Sequence, residues 1–401
     1  MPRQKTLQAF LATARAALTA PPSKRPAPLH FVVGNESADL DSLCSTLFLA
    51  YFRSHSPPHT LHIPLYHLPR DDLKLRPELT AVLKHAAVMP DDVLTLTELP
   101  DRDSLKPEDT RWFLVDHNVM TGALGQVFGN RVVGCIDHHD DEGKVPPDAE
   151  PRVIQKCGSC MSLVVDQCKE TWDALSREND NKEVARINAQ LAYLALGPIL
   201  IDTNNLGNKD KTTAHDEHAV AVAEAQIDGV HDYDRAEFFA HVSALKEDIS
   251  HLSFRDIFRK DYKEWTEANM TLGTSSVPQS FAFLIRKAGG QATLVNQLER
   301  WCEEKKLDVV AVLTTSKDEG TFRRELLVWA RTGPQAVAAV KKFAESDGRD
   351  KLGLGAWGGG KLDADNGRGS WRRCWTQAQL GNSRKQIAPM LRDALNSVAK
   401  S

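Results

Sequence analysis

The run Arg131-Val132-Val133-Gly134-Cys135-Ile136 passes without a break into Asp137-His138-His139, and this junction constrains the fold more than any other stretch. A short, continuously apolar, β-branched run reads as a strand buried on both faces, the pattern of a parallel sheet. An acid and two imidazoles are costly to bury unpaired. They belong beyond the carboxyl end of the strand, where open α/β sheets place their chemistry. A hydrogen-bonded turn would explain one such triplet equally well. Recurrence weighs against that: Leu114-Val115 runs into Asp116-His117-Asn118, and Leu29–Asn35 runs into Asp39 and Asp41.

Strands are expected at Leu29–Asn35, Leu61–Leu68, Val93–Leu99, Trp112–Val115 and the junction itself. Between them, helical spacing recurs at Leu43, Leu47, Ala50 and Tyr51 and over Asp71–Ala87. Strands alternating with helices make a doubly wound parallel sheet. Ser159 is placed to cap a helix through Leu163, Val164 and Cys168, and the mainly apolar helix Ile187–Leu200 delivers Ile201-Asp202-Thr203. The polar segment Lys246–Ser253 breaks the pattern. Beyond it, helices at Gln291–Lys305 and Gln335–Glu345 and strands at Leu307–Thr314 and Leu326–Ala330 predict a second, smaller α/β domain. A chain of 401 residues can bury two cores. The expected division is 1–247, a linker over 248–253, and 254–401.

A net charge of −4 gives no global field for nucleic acid or membrane, and neither is expected as a partner. Locally the chain is less neutral. Arg368, Arg372, Arg373, Arg384, Lys385, Arg392 and Lys400 face only Asp393 after Gly367, a tail suited to an anionic ligand. Seven irregularly spaced cysteines favour a reducing compartment over a disulfide framework. Cys157-Gly158-Ser159-Cys160 has no second pair, which argues against zinc. No apolar run reaches the roughly 18 residues of a membrane span. The first 30 residues carry Arg3, Lys5, Arg15, Lys24 and Arg25 without an acid, as a mitochondrial presequence does. An amphipathic helix through Leu7, Phe10, Leu11, Ala14 and Leu18, docked on the domain, is the preferred reading, with a cytoplasmic location.

Asp39, Asp41, Asp116 and Asp202, with His138 and His139, form an oxygen-rich set matching Mg²⁺ or Mn²⁺ better than zinc or copper. Singly, Asp41 and Asp202 read as helix caps. Converging without cations, the four would repel one another strongly. Two ions roughly 3.5–4 Å apart would offset that charge and suit in-line displacement at phosphorus.

In order, Asn35-x-x-x-Asp39-x-Asp41-Ser42, Val115-Asp116-His117-Asn118, Ile136-Asp137-His138-His139 and Ile201-Asp202-Thr203 resemble the four motifs of the DHH phosphoesterase superfamily. Asp261-Tyr262-Lys263-Glu264-Trp265 and Asn382-Ser383-Arg384-Lys385-Gln386-Ile387-Ala388-Pro389 are similar to marks of its second type of associated domain. Family II pyrophosphatases, prune-type phosphodiesterases and cytosolic exopolyphosphatases share that plan. The resemblance implies a smaller C-terminal domain with a mixed sheet and an active site in the interdomain cleft.

It also implies roles. Asp39 and Asp116 would hold one ion with Asn35 beside it. Asp41, Asp116, His138 and Asp202 would hold the other, with Asp116 bridging. Asp137 would orient an imidazole, and His139 would reach a substrate phosphate as donor and proton source. Lys263, Arg384 and Lys385 would clamp phosphates from the second domain. Pyrophosphatases begin the first motif with histidine; Asn35, as in similar exopolyphosphatases, offers a harder, weaker oxygen that favours Mg²⁺. The expectation is therefore a monomeric exopolyphosphatase that hydrolyses terminal phosphates from linear inorganic polyphosphate with water activated by two ions. A pyrophosphatase or nucleotide phosphodiesterase of the same fold is the nearest alternative. A non-catalytic phosphate-binding protein is the different-class one.

Overall fold

The computed structural model describes residues 5–101, 103–178, 182–227, 229, 232–318, 320–331, 333–367 and 369–398. Arg3, Arg368 and Lys400 of the basic segments lie outside the described residues. The chain divides into two compact units, residues 1–246 and 247–401.

In order, the first unit contains α1 (Leu7–Leu18), β1 (Leu29–Val33), α2 (Leu40–His55), β2 (His62–Leu65), α3 (Pro77–His85), β3 (Thr110–Val115), α4 (Gly122–Phe128), β4 (Val132–Asp137) and β5 (Arg152–Ile154). Four helices follow: α5 (Cys160–Glu178), α6 (Lys182–Thr203), α7 (Ala214–Ala225) and α8 (Arg235–Glu247). The five strands lie in the order β2-β1-β3-β4-β5, and every neighbouring pair is parallel. Val32, Phe113, Val115 and Ile136 face one core with α2, α5 and α6, while Phe31, Val33, Trp112, Leu114 and Cys135 face the other. Both faces are covered, which is why these strands read as unbroken apolar runs. Because β1 pairs with β2 on one side and β3 on the other, the connections diverge at β1. The carboxyl ends of β1 and β3 lie side by side at this switch point.

Gly34 is what lets α2 start so close to β1. A Cβ there would lie 2.7 Å from Ser42 Cβ and 2.9 Å from its carbonyl oxygen. The apolar stripe of α1, including Leu7, Phe10, Leu11, Ala14 and Leu18, is buried in the cores of this unit.

Four expectations are corrected. Val93–Leu99 is not a strand: Thr95 makes one bridge to Tyr66, and a 3₁₀ turn, Leu96–Glu98, follows. Thr95 and Glu98 form a capping box there, which starts a helical turn instead. Asp71–Ala87 is a 3₁₀ turn, Arg70–Leu75, and then α3, broken where Pro77 can only begin a helix. Ser159 does not cap α5; its hydroxyl has no partner among the described residues. Finally, α6 is long and apolar enough to cross a membrane by composition, with 83% of its most apolar window buried. It is a core helix, packed against α2, α3 and α5.

The second unit contains α9 (Phe254–Lys260), β6 (Tyr262–Glu267), β7 (Met270–Val277), α10 (Phe281–Ala288), α11 (Gln291–Lys305), β8 (Val309–Asp318) and β9 (Thr321–Ala330). Then come α12 (Gly333–Phe343), β10 (Leu354–Ala356), β11 (Ala364–Asp365), β12 (Trp371–Gln377) and α13 (Arg384–Val398). Its sheet runs β10-β12-β9-β8-β7-β6, with β11 added on β12. The sheet is mixed: β7 and β8 pair in parallel, the other pairs antiparallel.

Candidate active site

The site in the first unit assembles at the carboxyl ends of β1, β3 and β4. Asp116 stands at its centre, buried, with a backbone φ of +61°, a region that costs a non-glycine residue energy unless its surroundings hold it there. Its two carboxylate oxygens have different neighbours. Oδ2 accepts from Asn35 Nδ2 at 2.7 Å and from the Ser42 hydroxyl at 2.6 Å. Oδ1 faces the imidazoles, 3.1 Å from His138 Nε2 and 3.7 Å from His139 Nδ1. Asp116, His138 and His139 each offer a ligand atom, all within 4.8 Å of one another.

Asp41, in the first turn of α2, accepts the backbone N–H of Cys160 at 2.7 Å and of Met161 at 2.9 Å. It thus sits on the amino terminus of α5, where unpaired N–H groups favour an anion. Its Oδ2 is 3.9 Å from His138 Nε2. Burial first, then the charges of Asp116, Asp202 and Asp39, pushes its carboxyl well above the usual range. That convergence fits a cation: several carboxylates crowded together in a buried place require compensating positive charge. Asp39 caps α2 by accepting the Ser42 N–H at 3.0 Å. Asp202 lies in the last turn of α6, half-buried.

Asn35 occupies the site differently from a simple ligand. Its amide oxygen accepts the N–H of Ser37 at 2.9 Å and the Ser37 hydroxyl at 2.5 Å. A backbone N–H can only donate, so this contact settles which end of the amide is oxygen. Its nitrogen donates to Asp116 and ties β1 to β3.

His138 Nδ1 lies 3.1 Å from the Cys157 carbonyl, which can only accept. The proton therefore sits on Nδ1, and Nε2 faces Asp116 and Asp41. Asp137 is fully buried and serves His139: its Oδ1 is 2.7 Å from Nδ1 of that ring and also takes the N–H groups of His138 and His139. Its Oδ2 accepts from Asn118 Nδ2 at 2.6 Å. Burial alone would raise Asp137, but the charge and hydrogen bond of His139 and the charge of His138 hold it well below the usual carboxylate range. His139 keeps 22% of its side chain exposed, the least buried of the three clustered groups.

Sequence reading missed the parts played by Ser42, Asn118 and the Cys157 carbonyl. The first two stand inside quoted motifs, which was a signal; a carbonyl leaves none. In the second unit Lys263 lies on β6 and Arg384 begins α13. Arg384 donates to the Asp261 carbonyl at 3.0 Å and pairs with its carboxylate at 2.7 Å, which brings it beside the strand of Lys263. Lys385, next to it, is exposed. All seven cysteines are free thiols; Cys160 is fully buried, and burial pushes it well above its ordinary value.

Comparison with known proteins agrees with this layout. Residues 30–197 match the DHH family, N-terminal domain, and residues 241–394 the DHHA2 domain. A Schizosaccharomyces pombe protein provisionally named exopolyphosphatase is 34% identical over 375 residues, 92% of this chain and 91% of that one. Human exopolyphosphatase PRUNE1 is 26% identical over 312 residues, 77% of this chain, which spans 63% of the longer human protein. A manganese-dependent inorganic pyrophosphatase of Methanocaldococcus jannaschii is 24% identical over 73% of this chain and 80% of its own. A Methanococcus jannaschii crystal structure, provisionally named family II inorganic pyrophosphatase, shares the fold with a TM-score of 0.59 at 19% identity, covering 92% of this chain and 100% of that one. With both domains matched and a 34% identical relative aligned over 92% of its length, this chain is a phosphoanhydride hydrolase of the DHH phosphoesterase superfamily and belongs to its exopolyphosphatase branch.

Proposed function

We propose that the protein is an exopolyphosphatase, removing terminal phosphate from linear inorganic polyphosphate as orthophosphate. The observation that carries the reading is the buried Asp41, pressed by the charges of Asp116, Asp202 and Asp39, next to the cluster of Asp116, His138 and His139, a set that calls for divalent cations. The Schizosaccharomyces pombe and PRUNE1 relatives support the substrate class. Asp41, Asp116, His138 and Asp202 would hold one ion and Asp39 and Asp116 another. When bound, such ions neutralise the carboxylates and acidify the attacking water.

The chain's own groups do the rest. Asp116 is oriented by Asn35 and Ser42, so that Oδ2 is engaged and Oδ1 faces the reacting side. His139 is held by Asp137 through Nδ1, so Nε2 is the nitrogen that would meet a substrate oxygen. Water attacks the terminal phosphorus and gives up a proton to solvent, the bridging P–O bond breaks, and the leaving chain takes a proton from a positioned donor, the role assigned to His139. Lys263, Arg384 and Lys385 would bind phosphates further along the chain, Arg384 through its planar fork.

The test is phosphate release from long polyphosphate, tripolyphosphate and pyrophosphate, with Mg²⁺ or Mn²⁺, with and without chelator. Long-chain and tripolyphosphate turnover that chelation abolishes is expected. Turnover confined to pyrophosphate would overturn the substrate assignment.

A further inference from the structure

Asp216, in the first turn of α7, is fully buried and accepts five hydrogen bonds. Oδ2 takes the N–H of Thr213 at 2.7 Å, its hydroxyl at 2.9 Å and the N–H of Gly158 at 2.9 Å. Oδ1 takes the N–H of Ser159 at 3.1 Å and the Ser162 hydroxyl at 2.6 Å. The Thr213 N–H bond belongs to the capping box of α7 and the Thr213 hydroxyl bond is local to the same turn, so neither needs further explanation. The other three reach back 58, 57 and 54 residues, to the loop before α5 and its first turn. Capping α7 does not require them.

That loop fixes two site residues at once. The Cys157 carbonyl accepts the hydrogen bond from His138 Nδ1, and the amides of Cys160 and Met161 hold the two oxygens of Asp41. Gly158 between them has no room for a side chain: a Cβ would lie 2.6 Å from Thr203 Cγ2 and 2.9 Å from Asp216 Oδ2. The loop is therefore pressed directly onto the carboxylate that holds it.

We propose that Asp216 is a positioning residue of the active site. By holding Gly158 and Ser159 it places the Cys157 carbonyl that sets the His138 tautomer and the two amides that orient Asp41. Partners behind metal-holding side chains act in this way, fixing which nitrogen carries the proton and where the carboxylate points. The inference rests on the reading of His138 and Asp41 as metal-holding groups.

Asp216→Asn, Asp216→Ala and Thr213→Ala, each in the full chain, test it. Three quantities are measured: the melting temperature, Mn²⁺ affinity, and solvent exchange of the His138 Nδ1 proton by ¹⁵N NMR in metal-free protein. Both Asp216 variants should weaken Mn²⁺ binding about 10–100-fold and speed that exchange. Thr213→Ala removes the local hydroxyl bond at the start of α7 but leaves the bonds of Asp216 to Gly158, Ser159 and Ser162, so it should lower the melting temperature and leave the other two readouts at wild-type values. Should Asp216→Ala fail to fold, the nearly isosteric Asp216→Asn decides. Asp216 variants that melt earlier, yet keep wild-type Mn²⁺ affinity and Nδ1 protection, would reduce Asp216 to a cap and overturn the proposal. A wild type that binds no Mn²⁺ would remove the metal reading instead, while the proton-exchange result, taken without metal, still decides the link from Asp216 to His138.

Discussion

In the first unit five parallel strands end at one edge, and the charged groups there are buried and tied to one another: Asp116 to Asn35 and Ser42, Asp137 to His139 and Asn118, Asp41 to the start of α5. In the second unit the sheet is mostly antiparallel, and the cations proposed to meet phosphate are half-buried or exposed, with Arg384 anchored on Asp261. Thirteen of the 14 histidines also lie in the first unit, and the second has only the exposed His251. Buried, mutually bonded groups are held in place before any ligand arrives but resist a change of charge. Cations at a surface adapt to a flexible polyanion and hold it more loosely. The proposed roles divide along the same line, fixed chemistry in the first unit and adaptable grip in the second.

The sharpest way to break that contrast is Asp116→Asn. Asn tolerates the left-handed backbone at this position, and its amide oxygen can still accept from Asn35 and Ser42, so the fold should survive. Turnover should fall to background, with Mn²⁺ affinity lost and the metal-free melting temperature at least that of wild type. Activity near normal at saturating metal would sink the central role of Asp116.

Acid should separate the units next. Burial and the charges of Arg53 and His30 outweigh the hydrogen bond to Thr60 and hold the His62 ring down at about 3, against an ordinary 6.5. The lowered folded value means that the unfolded chain binds the extra proton first. Stability from this neutral burial is complete above pH 6.5 and lost as pH falls toward 3, on the order of a few kcal/mol. His30 and His55 are lowered in the same direction, chiefly by burial. The first unit should therefore unfold before the second on acidification, as read by hydrogen exchange resolved by segment, and His62→Gln should narrow the gap. Simultaneous unfolding in wild type and variant would contradict it.

For the second unit, Arg384→Ala should raise KM for long polyphosphate roughly 10-fold with a smaller change in kcat. Arg384→Lys should recover only part of this, because the planar fork is lost. An unchanged KM in both would remove Arg384 from the clamp.

A smaller, more specific change is expected at Asn35. Asn35→His replaces an amide that donates to Asp116 with an imidazole that favours Mn²⁺ or Co²⁺ over Mg²⁺. Metal titrations with polyphosphate and pyrophosphate should show that preference rise, with the substrate ratio moving toward pyrophosphate. If neither moves, Asn35 holds Asp116 and the β1–β3 junction in place without tuning the metal. The smallest effect belongs to Lys156→Ala, which removes an exposed pair with Asp140. Pairs of that kind are worth about 0–1 kcal/mol, so the melting temperature should barely change; a large drop would mean that exposed charge matters here as much as buried charge.

Apolar runs that end in acid and imidazole are visible in any reading of this chain, because burial on both faces of a parallel strand requires continuous apolar residues. That is why β1, β3, β4, α2 and α6, and the acids and imidazoles beyond them, were legible. Val93–Leu99 misled because a strand and a short capped turn both accept Thr and Leu, and only the Thr95–Glu98 bonds decide between them. β5 was missed because its three residues carry no period. Ser159 misled in a more instructive way: the residue type is right for a cap, yet the amino terminus of α5 is met by Asp41 and Asp216 from distant parts of the chain. Local sequence determined the candidate residues of the site, since their types and their places after strands follow from period and polarity. Which oxygen of Asp116 faces the imidazoles, which nitrogen of His138 holds its proton and which end of Asn35 meets Asp116 were decided only by the tertiary structure, because each depends on a donor or acceptor brought from a different strand or helix.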